Sequence, residues 1–173
     1  MTTTVFVGTS LDGFIARLDG SFDFLLAGEG EPHGYEEFMA TVDAVVLGRN
    51  TYDVVLGLAA WPYGKTPVFV LTTRPLGPPP PGTPVERLSG PLHGVVADLE
   101  SRGFGHIYID GGNTIQQFLA AGLVHRIIVT RVPVLIGSGI ALFGVVPYDI
   151  RLSHLATRQF PNGLVQSEYL VAT

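Results

Sequence analysis

Three short stretches of this chain place residues able to hold an anion directly after a run able to form a buried strand. Gly48-Arg-Asn-Thr51 follows Ala44-Val-Val-Leu47, Thr72-Thr-Arg74 follows Val68-Phe-Val-Leu71, and Asp110-Gly-Gly-Asn-Thr114 follows Ile107-Tyr-Ile109. Glycine at 111 and 112 lets the backbone approach a bound group closely, and Asn113 or Thr114 can cap a helix whose free N–H groups attract a phosphate. An ordinary strand-to-helix connection that needs glycine only for its geometry satisfies the same pattern. Asn50 can open a second helix, with Asp53 three residues later in the manner of a capping box and Tyr52, Val55 and Leu56 as the apolar stripe. Arg49 and Arg74 could grip a further phosphate by paired hydrogen bonds, although an exposed arginine is also read simply as a solvated charge. Thr72 and Thr73 are turn formers in their own right.

For these turns to act together they must lie along one edge of a mostly parallel sheet, where strand C-termini line up and ligands bind. The remaining sequence supplies the sheet. Residues 5–9 predict a first strand, Ser10-Leu-Asp-Gly13 a turn, and Phe14-Ile-Ala16 a resumed apolar run. Residues 17–34 read as an ordered loop anchored by Phe22, Phe24, Leu25 and Leu26, and residues 35–39 as a short helix. A short strand at 85–88, a helix over 92–99 and a strand over 124–134 follow, and residues 135–143 bend on Gly137 and Gly139. Two alternating runs, 152–160 and 164–171, joined at Pro161-Asn-Gly163, predict an antiparallel hairpin. The class is α/β. Proline-rich residues 76–84 exclude helix or central strand and read as an exposed loop within one domain spanning 1–173, because neither half reaches the ~100 residues typical of a domain. A polyproline ligand for a partner is the alternative reading.

Composition removes several classes of function. Hydrophobic residues at 46% against 14% charged leave room for a buried subunit interface, so a homodimer is expected. A net charge of −5 with ten scattered basic residues disfavours a nucleic-acid partner. The absence of cysteine excludes disulfides, thiol catalysis and thiolate metal sites. Histidines 33, 93, 106, 125 and 154 show no ligand spacing, so no metal site is expected. Neither a Walker A motif, a Gly-x-Gly-x-x-Gly after the first strand, nor a Gly-x-Ser-x-Gly is present. No secretory pattern or membrane-length apolar run appears either, which makes the cytoplasm the default and a membrane partner unexpected.

Ser10-Leu-Asp-Gly-Phe-Ile-Ala16, Gly48-Arg-Asn-Thr-Tyr52, Val68-Phe-Val-Leu-Thr-Thr-Arg-Pro75, Ile109-Asp-Gly-Gly-Asn113 and Pro133-Val-Leu-Ile-Gly137 follow one another in the order and spacing of the dihydrofolate reductase-like superfamily. Over nearly its whole length the chain most resembles the reductase domain of the bifunctional riboflavin-biosynthesis deaminase-reductase and its stand-alone relatives. The resemblance implies a three-layer αβα fold around a mixed, mostly parallel sheet of about eight strands, with NADPH extended along the strand ends. It would set Arg49, Thr72, Thr73 and Arg74 around the adenosine and its 2′-phosphate, and Asn50 and Thr51 at the pyrophosphate. Gly111, Gly112, Asn113, Thr114 and Ile115 would take the other side of the pyrophosphate and the nicotinamide ribose. Gly8 and Ile15 would lie beside the nicotinamide. In the folate enzymes a Gly-Gly bond of this turn is cis.

The implied activity is NADPH-dependent hydride transfer to a small heterocyclic or imine-type substrate, as in 5-amino-6-(5-phosphoribosylamino)uracil reductase. Its substrate is expected between the nicotinamide and residues 17–39, walled by Phe24, Tyr35 and Phe38. Asp12 is the candidate catalytic group, with a plain turn-forming role as the alternative. Folate enzymes carry an acid where this chain has Gly34, which disfavours a pterin substrate. A pterin reductase and a non-catalytic ligand-binding or assembly protein of the same fold are the competing readings. The zinc-binding deaminase half is not present in the sequence. Asp110 stands where many folate enzymes have glycine, and a carboxylate there should repel a pyrophosphate unless it turns toward ribose hydroxyls or substrate.

Overall fold

The computed structural model describes residues 1–28 and 33–172. In chain order the elements are β1 (Thr2–Ser10), β2 (Phe14–Ala16), α1 (Tyr35–Met39), β3 (Ala44–Gly48), α2 (Arg49–Leu56), β4 (Val68–Leu71) and β5 (Val85–Leu88). They continue with α3 (Leu92–Ser101), β6 (His106–Asp110), α4 (Gly112–Ala120), β7 (Arg126–Val132), β8 (Ile140–Ala141), β9 (Leu152–Gln159) and β10 (Val165–Val171). Eight strands join in the order β5-β4-β3-β6-β1-β7-β10-β9. The first six in that order run parallel, while β10 is antiparallel to both β7 and β9. β2 and β8 form a separate two-stranded ribbon.

Continuous apolar runs form the central strands because both faces are covered. Successive residues alternate between faces, so Val5, Val46, Ile107 and Ile109 meet Val95 and Leu99 of α3 and Ile115, Phe118 and Leu119 of α4. Phe6, Val45, Leu47, Val70 and Tyr108 point the other way, toward Phe38 of α1 and Tyr52 and Val55 of α2. Helices therefore lie on both faces of the sheet, as expected. Each fully buried side chain of this size contributes about 1.5–3 kcal/mol of transfer free energy. The C-terminal hairpin forms as the sequence signals, with Gly163 at φ 87° in its turn. β9 is exposed along its entire length at the sheet edge.

Three local expectations are corrected. α2 begins at Arg49 with Gly48 as its cap, and α4 begins at Gly112 with Gly111 as its cap, so Asn50, Asn113 and Thr114 sit inside first turns. Neither helix start has a side-chain cap. The strand expected over 124–134 is shorter, because His125 hydrogen-bonds back to β1 and Pro133-Val134 turns away toward Leu11. No peptide bond among the described residues is cis, so the Gly111–Gly112 bond differs from its counterpart in the folate enzymes. The loop expected over 17–34 contains a 3-10 turn at Asp23–Gly28; its residues 29–32 and the Leu26 side chain lie outside what the structure describes. Among the described residues no helix is long and apolar enough to cross a membrane.

Candidate functional site

The C-terminal ends of β1 and β6 and the first turns of α2 and α4 open onto a cleft of about 620 Å³. That volume suits a small-molecule ligand. Its floor is formed where two strand-to-helix turns interlock. A methyl group at Gly111, whose φ is +89°, would run into the Thr51 side chain, and one at Gly48 would stand 2.9 Å from Thr114 Oγ1. A methyl at Gly112 would meet Ile15. Glycine is thus required by contacts with residues distant in the chain, not only by the turn itself. The first N–H groups of α2 and α4, left free by both helices and by any side-chain cap, are brought together beside the cleft.

Of the residues expected at a cofactor, Gly8, Ile15, Asn50, Thr51, Gly111, Gly112, Asn113 and Ile115 line this cleft. Thr114 is buried behind it, against Gly48. Arg49, Thr72, Thr73 and Arg74 gather instead at the adjoining end of β4, outside the cleft lining. There Arg49 Nη1 donates to the Pro75 carbonyl at 3.0 Å and its Nε to Asp53 at 2.8 Å, while Thr72 Oγ1 accepts the Arg74 N–H at 3.1 Å. The arrangement has a cleft with two helix starts and, next to it, a basic turn.

Asp12 is not part of the cleft lining. Its carboxylate accepts the Gly137 N–H at 2.8 Å and the Ile136 N–H at 3.3 Å, tying the β1–β2 turn to the bend at 136–139. A hydrogen bond from Ser10, helped by those two N–H groups, holds Asp12 below the usual carboxylate range. An acid so held keeps its charge and is a poor proton donor. The turn-forming role is the one its surroundings give it.

Of the three expected walls only Tyr35 faces the cleft. Phe38 is buried, stacked on Phe6 at 4.9 Å, and Phe24 is buried under the Arg17 guanidinium, which also pairs with Asp23. Phe22 and Leu25 take their places.

Asp110 acquires one partner from its own turn and one from far along the chain. It follows Tyr108 by two residues on β6, so both side chains share the α1/α2 face. Tyr63 Oη donates to Asp110 Oδ2 at 2.5 Å, and the Gly111 N–H donates to Oδ1 at 2.7 Å. Burial pushes the Asp110 carboxyl above its ordinary range despite these donors. Burial first, and the Asp110 charge second, also raise Tyr35, Tyr63 and Tyr108, so all three phenols keep their protons. The Tyr63 hydroxyl and the Gly111 N–H occupy both Asp110 oxygens, so the carboxyl is tied back into the turn. Sequence reasoning missed Tyr63. The only trace of it is the aromatic-proline cluster Trp61-Pro-Tyr63 in the loop after α2, which also carries cleft residues Leu58 and Pro62.

Comparison with known proteins agrees with this geometry. The family model for the RibD C-terminal domain matches residues 85–166. An uncharacterized protein of Bacillus subtilis strain 168, YwjB, is 35% identical over 98% of both chains. A crystal structure of a protein from Shewanella sp. PV-4, named for riboflavin biosynthesis, is 36% identical, covers both chains completely and superposes with a TM-score of 0.92. Dihydrofolate reductase from Enterococcus faecalis, solved with NADP(H), shares the fold at a TM-score of 0.68, 15% identity and coverage of 99% of this chain and 97% of that one. The chain belongs to the RibD C-terminal domain family and has the dihydrofolate reductase-like fold.

Proposed function

We propose that the protein is an NADPH-dependent reductase that delivers hydride to a small heterocyclic or imine-type substrate, in the manner of 5-amino-6-(5-phosphoribosylamino)uracil reductase. The observation that carries this reading is the pair of interlocked, uncapped helix starts at the floor of the cleft. Their free N–H groups offer donors to a pyrophosphate without requiring a cation there. The donor set fits the whole cofactor: neutral N–H groups in the middle, arginines 49 and 74 at one end, and an apolar approach past Gly8 and Ile15 at the other. When bound, NADPH supplies the hydride.

The chain's own contribution is placement and a proton. Gly8 leaves room beside β1, where an added methyl would stand 3.3 Å from Leu25. Ile15, Leu25, Phe22 and Tyr35 line the space beyond it and give it apolar walls. Asp110, which lines the cleft, is oriented by Tyr63 and has its pKa raised by burial, is the group placed to hydrogen-bond the substrate and take part in supplying the proton that accompanies hydride addition to a C=N bond. A pterin finds no acid on α1: Gly34 caps that helix, and Glu36 and Glu37 are exposed away from the cleft.

Titration with NADPH and NADH, followed by turnover assays on pyrimidine, pterin and imine substrates, tests the proposal. We expect NADPH to bind more tightly than NADH and a ribosylamino-pyrimidine to be consumed. Failure of both nucleotides to bind at high micromolar concentration would refute it; binding without consumption of any substrate would favour a ligand-binding protein of the same fold.

A further inference from the structure

Three arginines, not two, converge on the turn that follows β4. Arg49 reaches it from the start of α2 and donates Nη1 to the Pro75 carbonyl at 3.0 Å. From the opposite side Arg87, on edge strand β5, donates Nη1 to the Thr73 carbonyl at 3.0 Å. Arg74 lies in the chain between those two carbonyls and is exposed. Among the described residues the only carboxylate paired with any of the three is Asp53, which takes Arg49. Glu86, the neighbour of Arg87, alternates to the other face of the strand and is held by Arg102 at 2.7 Å. In a chain of net charge −5, two guanidinium groups therefore stand without a carboxylate beside a third, around one exposed turn. Like charges so placed repel one another, and a doubly charged anion would relieve that repulsion.

We infer that Arg87 is a specificity-determining residue of the nucleotide site, a third guanidinium that reads a phosphate monoester on the adenosine ribose; the inference rests on the NADPH reading above. The contact to the Thr73 carbonyl uses one N–H of the five that a guanidinium carries and fixes the plane of the group. The remaining donors are free to meet phosphate oxygens in pairs. A monoester dianion presents three equivalent acceptor oxygens to Arg49, Arg74 and Arg87, whereas the ribose hydroxyl of NADH presents one weak acceptor. Position on a strand paired along β4, with Val70 opposite Arg87, gives the group a rigid base.

Calorimetric titration of the wild type, Arg87→Gln and Arg87→Lys with NADPH, NADH and adenosine 2′,5′-bisphosphate tests the assignment, with melting curves of the free proteins to establish that each variant is folded. Arg87→Gln removes the charge and retains an N–H donor for the Thr73 carbonyl. It should weaken NADPH and the bisphosphate about tenfold, the effect of one charge-assisted hydrogen bond, and leave NADH within about twofold. Arg87→Lys should recover part of the loss. Equal weakening of NADPH and NADH would show that Arg87 only props the turn, and no weakening would show that it plays no part; either result overturns the inference while the reductase reading stands. A wild type that binds neither nucleotide, or binds both equally, would overturn the NADPH reading and this inference together.

Discussion

The turns from β3 into α2 and from β6 into α4 share one backbone device and differ in the charge they present. Each runs from a buried strand through a glycine cap into a helix with no side-chain cap, and each glycine is pressed against a threonine of the other helix. Around the first, Arg49, Arg74 and Arg87 accumulate; around the second stand Asp110 and three protonated tyrosines. One extended ligand spanning both would meet cations at one end and a buried carboxyl among phenols at the other. In the proposed reading, backbone geometry provides the N–H donors common to both turns, while side chains distinguish the end offered to a phosphate from the end offered to the substrate.

The largest effect should come from Gly111→Ala. Gly111 lies at φ 89°, ψ 131°, where a side chain is strained by about 1–3 kcal/mol from the backbone alone, and the new methyl would strike Thr51. We expect a clear fall in melting temperature and nucleotide binding weakened by about 100-fold or more, since α2 must move to make room. Gly48→Ala should be milder, because its φ of −86° suits any residue and the contact is with a single side-chain oxygen of Thr114. If Gly48→Ala proves the more damaging of the two in melting and binding assays, the two turns are not interlocked as described.

Next in size are Arg49→Ala and Arg74→Ala, each expected to weaken NADPH about tenfold and NADH much less. Arg49 also holds Asp53 and the Pro75 carbonyl, so its removal should loosen the turn somewhat and touch NADH more than Arg74→Ala does. Equal losses for both nucleotides in a titration would remove the charge distinction between the turns.

How much of this contrast is readable from sequence follows from the range of the contacts involved. The strands at 44–47, 68–71 and 107–109 are legible because burial on both faces leaves an uninterrupted apolar run. The hairpin is legible because Asn162-Gly163 decides it locally. The helix caps are misread because Asn50 and Asn113 satisfy a local rule, whereas Gly48 and Gly111 are fixed by threonines in the opposite turn. Tyr63 meets Asp110 across 47 residues and Arg87 meets Thr73 across 14, and no periodicity announces either contact. Family resemblance supplied the cofactor positions, but it offered no partner for Asp110, where this chain departs from the folate pattern. The Asp-Gly pair at 12–13 shows the reverse: its turn is a local feature, with Gly13 at φ 86°, and it forms where the sequence signals it.

A smaller effect, with a diagnostic pH dependence, is expected from Asp110→Asn. Because burial raises the folded-state pKa of Asp110 above its ordinary value of 3.8, the folded protein holds this proton more tightly than the unfolded chain does. The associated stability is fully present below pH 3.8 and is lost as the pH rises through the folded-state value. Asparagine cannot ionise and suffers no such loss. The melting temperature of Asp110→Asn should therefore gain on that of the wild type as pH rises from about 4 and level off once the wild-type acid has ionised. A gap that moves the other way would mean Asp110 is held as a carboxylate, and the electrical contrast between the two turns would have to be redrawn.

The smallest change should follow Asp12→Asn, and it separates the two roles considered for that residue. Asparagine keeps one oxygen to accept an N–H from Ile136 or Gly137 but loses the charge and the second acceptor. Ser10 and those two N–H groups hold the wild-type carboxyl in its ionised form, so no proton is lost from it near neutral pH that the variant could fail to supply. The expected outcome is a fall in melting temperature smaller than that of Gly111→Ala, together with a pH profile of turnover whose shape matches the wild type. Loss of the acidic or basic limb of that profile in Asp12→Asn, with the limbs intact in Asp110→Asn, would move the proton donor from the β6 turn to the β1 turn and with it the side of the cleft on which the substrate lies.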